Sequence, residues 1–298
     1  MAGNLKEVRE RIQSVKNTQQ ITKAMKMVSA AKLRKAQTAV QQMRPYADKL
    51  DRMLRNILSN LEGDAETVFG KERPVENVCI VLVTSNRGLC GAFNTNVSKA
   101  AVNTMETKYA EAAQKGNLTI LPIGKKGYDY FRKRYPNVKF IKDYINLFDD
   151  LSFDNVVLVS KYLMEAFENQ TFDAIEVSYG QFRNAVIQNP MTQRWLPVAK
   201  LEKKDEDNNL RAHYIFEPGK AGLLEYLVPS ILQTSFQKFV LDTHASEHGA
   251  RMTAMDQASN NADDILRELR ITYNKARQEA ITTEISEIVG GSAALESE

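Results

Sequence analysis

The stretch QQITKAMKMVSAAKL, residues 19–33, interrupts the longest regular apolar pattern in this chain of 298 residues. On either side of it, apolar residues recur at every third or fourth position, which is typical of a helix that packs along one stripe against a partner helix. Thirteen of the seventeen positions in this register are apolar, and the four exceptions are consecutive. The register consists of Leu5, Val8, Ile12, Val15, Gln19, Thr22, Lys26, Ser29, Leu33, Ala36, Val40, Met43, Ala47, Leu50, Leu54, Ile57 and Leu61.

Inside the interruption the apolar residues move to a neighbouring face of the same helix. Ile21, Met25 and Val28 are spaced as one helical face, and Met27 lies beside them. Two interpretations are open. A stutter could shift the seam so that these side chains pack against the same partner helix. Alternatively, this segment meets a second surface, since methionine suits adaptable binding faces.

A second helical register of the same length lies near the other end of the chain. It runs from Leu224 to Ala280 and spans 56 residues, as does the register from Leu5 to Leu61. Two seams of equal length at opposite ends of one chain predict an antiparallel coiled coil. Leu5 would then lie near Ala280, and Leu61 near Leu224.

Short β-rich runs alternate with helical stretches between the two long helices. The runs occupy residues 77–85, 118–124 and 172–180, and the helical stretches occupy 94–114, 125–134 and 153–169. This alternation predicts an α/β layer with a largely parallel sheet, to which residues 188–198 add an edge. The predicted fold class is therefore α/β with long helices, in which an antiparallel coiled coil of the N- and C-terminal helices carries an inserted Rossmann-like α/β domain. The predicted domains are residues 1–61, 75–211 and 217–289.

The composition is that of a soluble globular protein, with mean hydropathy of -0.40 and net charge of +3. The N-terminus lacks the apolar core of a secretory signal, so a membrane role is expected to come through a partner and not through direct insertion. Cys79 and Cys90 are too few for a disulfide framework and are predicted to be buried thiols.

Charge is distributed unevenly along the chain. Residues 11–47 hold eight basic residues and no acidic one, which predicts an acidic partner. That partner could be nucleic acid or a carboxylate-rich protein surface. A nucleic-acid-binding coiled coil is thus an alternative function, although residues 11–43 contain no aromatic side chain for stacking on bases.

Three short motifs are compatible with chemistry, and each has a simpler interpretation. SNRGLCGAFN (85–94) follows a strand and precedes a helix, where amides can bind phosphate, but it matches no phosphate-binding motif. IGKKG (123–127) resembles a nucleic-acid-clamping GXXG loop or an ordinary tight turn. HASEH (244–248) fits an inverted zinc-peptidase pattern, but His248 falls on the predicted seam. We therefore predict no catalytic residues, no cofactor and no metal site.

Four stretches closely resemble the gamma subunits of F-type ATP synthases. They are residues 14–37, 85–94, 245–264 and 273–291, and together with the predicted coiled coil and inserted α/β domain the resemblance covers nearly the whole chain. The resemblance implies a rotor shaft without catalytic residues of its own, which couples ion flow through a membrane ring to ATP synthesis or hydrolysis in surrounding subunits. It implies as partners the alpha and beta subunits of the catalytic hexamer, the epsilon subunit and the ring of c subunits, with no nucleic acid. It also implies a peripheral location at the cytoplasmic face of the bacterial inner (plasma) membrane.

The resemblance also assigns partner contacts to particular residues. The basic segment that faces acidic loops of the beta subunits corresponds to Lys23, Met25 and Lys26. The C-terminal contacts with the same subunits correspond to Arg277, Gln278, Thr282 and Glu284. The foot that faces the ring corresponds to Tyr214, Phe216 and Glu217.

The C-terminal helix is expected to overhang the N-terminal helix. Residues 281–289 extend beyond the predicted pairing and carry Ile281, Ile285, Ile288 and Val289. Burial of these four aliphatic side chains is favourable, whereas their exposure to water is not. We therefore expect Ile285 and Ile288 to lie in an apolar collar formed by the surrounding subunits. The alternative is that this tip folds back onto the α/β domain.

Overall fold

The computed structural model describes residues 2–59, 68–198 and 220–296 and contains two long helices with an α/β layer between them in sequence. The helices are α1 (Ala2–Ser59), α2 (Phe93–Lys108), α3 (Ala110–Gln114), α4 (Lys125–Arg134), α5 (Phe153–Glu168) and α6 (Lys220–Glu296). The strands are β1 (Val78–Val83), β2 (Leu118–Ile123), β3 (Lys139–Phe140), β4 (Ala174–Phe182) and β5 (Gln188–Leu196). Short 3-10 helices cover Val68–Gly70 and Leu147–Asp149. The long helices continue through Pro45 and Pro229, and the predicted fold class is confirmed.

The sheet has the strand order β3-β2-β1-β4-β5. Neighbouring strands are parallel except for β5, which pairs antiparallel with β4 and forms the predicted edge. Every residue of β1 and β2 is buried, as expected for parallel strands covered on both faces. This is a doubly wound sheet with its point of reversed strand order between β1 and β4.

Two details of the layer differ from the sequence prediction. The helix predicted over residues 94–114 is divided at Tyr109, whose φ of −128° leaves the helical region. The Tyr109 hydroxyl donates a hydrogen bond of 2.8 Å to Glu176, which is fully buried in β4. Strand β3 was not predicted, because two residues are too few to show a period.

The core forms on both faces of the sheet, because alternate side chains of each strand point to opposite faces. On one face, Phe167 of α5 and Phe236 of α6 are fully buried against the strands. On the other face, Val97 of α2 and Phe131 of α4 pack in the same way. Cys79 and Cys90 are buried free thiols, as predicted, and burial raises the pKa of both.

The chain divides into two compact units, one comprising residues 1–29 and 252–298 and the other residues 30–251. In the first unit the two helical segments run antiparallel. Arg9 donates to the Tyr273 hydroxyl at 2.9 Å, and Lys26 donates to Asp256 at 2.5 Å. One turn beyond the Arg9 contact, Leu5 lies level with Arg277, so the pairing differs by about three residues from the predicted one with Ala280. The predicted pairing of Leu61 with Leu224 lies outside the described residues.

Candidate functional site

The seam of the first unit does not shift at the interruption, which excludes the stutter. Gln19, Thr22 and Ser29 are buried at the positions that the apolar register predicts. Gln19 Nε2 donates to Asp263 Oδ1, and the Thr22 hydroxyl oxygen lies 2.7 Å from that of Ser259. The pattern therefore changes in chemistry and not in register: polar side chains replace apolar ones and pair across the seam.

The displaced apolar side chains are left at the surface of the paired helices. Ile21 is 60% exposed, Val28 is 57% exposed and Met27 is 72% exposed, whereas Met25 is half-buried at the flank of the seam. Because the seam is already filled by hydrogen-bonded polar groups, these residues are not needed to hold the helices together. We define the side of α1 that carries Ile21, Met25 and Val28 as the apolar flank.

The two cations that the resemblance assigned to this segment are paired with acids of the same unit. Lys26 Nζ lies 2.5 Å from Asp256 Oδ1, and Lys23 Nζ lies 3.9 Å from Asp263 Oδ2. All four side chains are about half exposed, so each pair is accessible to water and is weak. Sequence reasoning missed both aspartates, because the predicted pairing of Leu5 with Ala280 differs by about three residues from the observed one and would put Ser259, not Asp256, opposite Lys26.

The residues assigned to the C-terminal contacts lie at a different level of the paired helices. Arg277, Gln278, Thr282 and Glu284 are all exposed, and the Thr282 hydroxyl donates to the carbonyl oxygen of Gln278 at 2.9 Å. Arg277 is about 14 residues, or roughly 21 Å, beyond Asp263. The structure therefore does not bring the two predicted contact regions together.

The overhanging part of α6 exposes its aliphatic side chains. Ile285 is 56% exposed and Ile288 is 66% exposed, and Ile281 and Val289 are exposed as well. We define residues 281–289 as the tip. Tyr214, Phe216 and Glu217, which were assigned to the foot, lie outside the described residues.

In the second unit, the HASEH motif is part of a packed polar cluster. Arg251 Nη1 lies 2.5 Å from Glu247 Oε1, and the Nε2 atoms of His244 and His248 are 3.1 Å apart. Burial, together with the nearby cations Lys32 and Arg251, lowers the pKa of His244 to about 4; burial and its neighbours lower that of His248 to about 3. Glu247 is thus bound to an arginine of its own helix, which is not the arrangement of a catalytic base.

The SNRGLCGAFN loop is held by the same arginine. Arg251 Nη2 donates to the carbonyl oxygens of Arg87 and Gly88 at 3.0 and 3.3 Å. A phosphate site needs backbone N–H groups aimed at the ligand, whereas these carbonyl groups are aimed at a guanidinium. The crevice beyond β1, where doubly wound sheets bind ligands, therefore contains a side chain of α6.

The glycines of IGKKG serve a tight turn. Gly124 has a φ of 99°, and a Cβ atom there would collide with the carbonyl oxygen of Thr84. A Cβ atom at Gly127 would lie 2.7 Å from the side chains of Leu82 and Thr84. These contacts account for both glycines without a nucleic-acid ligand.

Membrane-spanning helices and metal-binding clusters are both absent from the described residues. In residues 2–59, 68–198 and 220–296, no helix is both long and apolar enough to cross a membrane. The same part of the chain contains no group of three or more His, Cys, Asp or Glu side chains that could hold a metal ion.

Comparison with known proteins identifies the family. The ATP synthase family profile matches residues 4–295. The ATP synthase gamma chains of Cytophaga hutchinsonii and Flavobacterium psychrophilum are 47% and 48% identical, in each case over 98% of this chain and 99% of the relative.

Solved structures give the same answer. A chain of the Euglena gracilis mitochondrial ATP synthase, in a structure of its OSCP/F1/c-ring part, superposes with a TM-score of 0.70 and 26% identity, covering 100% of this chain and 96% of that one. A structure of the rotor of the same enzyme gives a TM-score of 0.62 at 25% identity, covering 94% of this chain and 100% of that one. The chain therefore belongs to the ATP synthase gamma chain family.

Proposed function

We propose how this chain, the central rotor shaft of an F-type ATP synthase, meets the subunits around it. The observation that carries the proposal is the contrast between a satisfied seam and exposed apolar residues on the same helices. Gln19 and Thr22 are buried and hydrogen-bonded, whereas Ile21 and Val28 are exposed beside them. These exposed apolar side chains do not hold the two helices together. Since a similar chain is part of an F1 complex, they are available for contact with other subunits.

The apolar flank, with Lys23 and Lys26, meets acidic loops of the beta subunits. A shaft that passes three equivalent partners needs contacts that form and break at each step. Met25 supplies an adaptable surface. Two half-exposed ion pairs lie beside it, Lys23 with Asp263 and Lys26 with Asp256. Because such pairs are weak, each lysine can leave its aspartate and bind a carboxylate of a partner subunit.

The tip lies in an apolar collar formed by the alpha and beta subunits. Thr282 and Glu284 within the tip, and Arg277 and Gln278 just before it, contact the same subunits. The exposure of Ile285 and Ile288 supports this assignment, because burying each side chain is worth roughly 1.5–3 kcal/mol. A collar of apolar side chains also offers no directional bond that would hold the shaft at one angle.

The segment that contains Tyr214, Phe216 and Glu217 meets the ring of c subunits together with the epsilon subunit. This assignment rests on the resemblance to the family and on the position of these residues immediately before α6. It places the chain at the cytoplasmic face of the membrane, as a peripheral part of the complex.

The chain has no catalytic activity of its own and binds no cofactor, and the catalytic subunits carry out the chemistry. The occupied polar sites support this proposal. Glu247 is bound to Arg251, and the same arginine holds the loop that resembles a phosphate site. The chain therefore acts on the conformations of the surrounding catalytic subunits.

Co-expression with the catalytic subunits and the variant Met25→Lys test the beta-subunit contact. The half-buried flank tolerates lysine, so the complex should assemble, but a new ion pair with passing carboxylates of about 1 kcal/mol would retard each step. We expect ion pumping by inverted membrane vesicles to fall relative to ATP hydrolysis. Gln20→Lys, which adds the same charge on another exposed face, is the matched control. Equal coupling in Met25→Lys and Gln20→Lys would contradict the assignment of the flank.

A further inference from the structure

A second basic region lies on the α/β layer. Residues 125–142 contain seven basic residues and one acidic residue, Asp129. Five of the bases are grouped where α4 ends and around β3, and we call them the α4 basic cluster: Arg132, Lys133, Arg134, Lys139 and Lys142. All five are exposed, and within the described part of the chain none has a carboxylate oxygen within 4.0 Å.

Two tyrosines lie among these cations. The Arg134 guanidinium is 4.1 Å from the centre of the Tyr130 ring. Arg132 and Lys142 lie 5.4 and 5.5 Å from the centre of the Tyr128 ring. Both rings are half-buried. The surface thus combines cations with amphipathic rings, as membrane interfaces do.

The α4 basic cluster lies at the end of the second unit where helix α6 begins. Trp195, which lies on β5 beside the start of β4, donates through Nε1 to Ser235 of α6. Further along β4, the Gly180 amide donates to the hydroxyl of Thr243, which comes later in α6. Helix α6 therefore runs in the direction of the parallel strands. Helix α4 follows β2 and returns, so its C-terminal residues and Lys139 lie at the end of the unit where α6 begins.

We propose that the α4 basic cluster is a contact face for the anionic headgroups of phospholipids. The inference rests on the proposed function, which assigns Tyr214, Phe216 and Glu217, just before α6, to the side that faces the membrane ring. A group of four to eight Lys and Arg side chains near a membrane is attracted to anionic lipid, by about 1 kcal/mol for each cation close to the surface.

The chemistry of the surface favours lipid over nucleic acid. A protein that binds single strands needs open aromatic faces on which bases stack. Here the chain's own Arg132, Lys142 and Arg134 lie over the rings of Tyr128 and Tyr130.

Rotation favours lipid over a fixed acidic protein. Carboxylates on a stationary subunit would attract the cluster at one angle and resist rotation away from it. A fluid anionic surface presents the same potential at every angle, so it can attract the rotor without stopping it.

A simpler explanation is that the charges protect an exposed sheet edge. Strand β3 has two residues and forms the outer edge of the sheet, and a lysine there discourages pairing with another chain. This explains Lys139, but Arg132, Lys133 and Arg134 are on a helix. The two explanations differ in whether lipid binding depends on the cluster.

The experiment uses the soluble complex of this chain with the alpha and beta subunits, in which the proposed function assigns the basic segment of α1 to a contact with the beta subunits. Co-sedimentation is measured with vesicles of phosphatidylcholine alone and with vesicles that also contain phosphatidylglycerol. The test variant neutralises four cations of the cluster: Arg132→Gln, Lys133→Gln, Arg134→Gln and Lys139→Gln. The matched control neutralises four exposed lysines elsewhere on the same unit: Lys99→Gln, Lys125→Gln, Lys126→Gln and Lys161→Gln.

We expect the unaltered complex to bind the anionic vesicles but not the neutral ones, and to be released by added salt. The cluster variant should bind at least about tenfold more weakly, since four favourable charges are lost, whereas the control should stay close to the unaltered complex. Equal loss in both variants, absence of binding to anionic vesicles, or stronger binding to a single-stranded oligonucleotide than to vesicles would overturn the inference. Failure of the complex to form, which is seen before vesicles are added, would count against the proposed function instead.

Discussion

The hydroxyl oxygens of Thr22 and Ser259 lie 2.7 Å apart between the two paired helices, and both residues are buried. Each hydroxyl also has a backbone acceptor one turn away on its own helix, at Gln19 for Thr22 and at Met255 for Ser259. The pair can therefore separate without leaving either group unsatisfied. This makes the polar part of the seam specific in register but weaker than a continuous apolar seam.

The Thr22–Ser259 contact gives a direct test of direction and register. In a Cys79→Ala and Cys90→Ala background, Thr22→Cys with Ser259→Cys should form a disulfide within one chain under mild oxidation, because side chains in contact meet the distance requirement of that bond. The measurement is the mobility shift on a non-reducing gel.

The control combines Thr22→Cys with Leu266→Cys, which is also a buried seam position. It lies seven residues, or about 10 Å, further along α6 and is beyond disulfide reach. Equally efficient crosslinking of both pairs would show that the register is not fixed.

Much of the helical pairing could be predicted from the sequence, because burial repeats over many turns. Val8, Leu33 and Leu266 are buried where the registers place them. The pairing of Gln19 with Asp263 could not be predicted in the same way. It depends on the alignment of two segments more than two hundred residues apart, and polar side chains carry no periodic signal.

In the α/β layer, too, the elements could be predicted but the polar contacts between distant residues could not. The strands β1 and β2 were predicted because they are short β-rich runs that end in turn residues. The role of Arg251 was missed, since its acceptors are the backbone carbonyl groups of Arg87 and Gly88, and a carbonyl group has no signature in sequence. The hydrogen bond of Tyr109, where the helix divides, was also missed, because its acceptor Glu176 is a buried acid on a distant strand.

The variant Arg251→Lys should destabilise the isolated chain. The single nitrogen of lysine cannot reach both Glu247 and the two carbonyl groups, so either the buried carboxylate or the two carbonyl groups lose their partner. We expect the free energy of unfolding in urea to fall by about 2–4 kcal/mol. Arg267→Lys, at an arginine whose side chain is 77% exposed, should change it by less than about 0.5 kcal/mol. Comparable small losses in both variants would show that the Arg251 contacts contribute little.

His244 and His248 predict a pH dependence of stability. Their pKa values are lowered to about 4 and about 3 in the folded chain, from 6.5 when unfolded. Between pH 6.5 and about 4 the unfolded chain therefore binds protons that the folded chain does not, so the free energy of unfolding falls as pH is lowered through that window. At pH 5 the loss is up to about 2 kcal/mol for each histidine.

The comparison that isolates this effect is with His244→Asn and His248→Gln together. Urea unfolding at pH 7 and at pH 5 should show a smaller loss of stability in the double variant, because it lacks the two titrating histidines. The carboxylates titrate in both proteins and account for the loss that remains. A decline of the same size in both would mean that the two histidines are not the titrating groups.

The tip prediction separates packing within the chain from packing against partners. Ile285 and Ile288 are more than half exposed, so Ile285→Asp with Ile288→Asp should change the free energy of unfolding of the isolated chain by less than about 1 kcal/mol. In the complex, two carboxylates would have to enter an apolar collar, which is costly for a charged group. We therefore expect weaker assembly with the alpha and beta subunits, or a loss of coupled turnover. The control is Leu266→Asp, a change at a seam position with 6% exposure, which should cost the isolated chain several kcal/mol. If the tip variant instead lost as much stability as the control and still assembled normally, the tip would pack on its own chain, and the collar would be wrong.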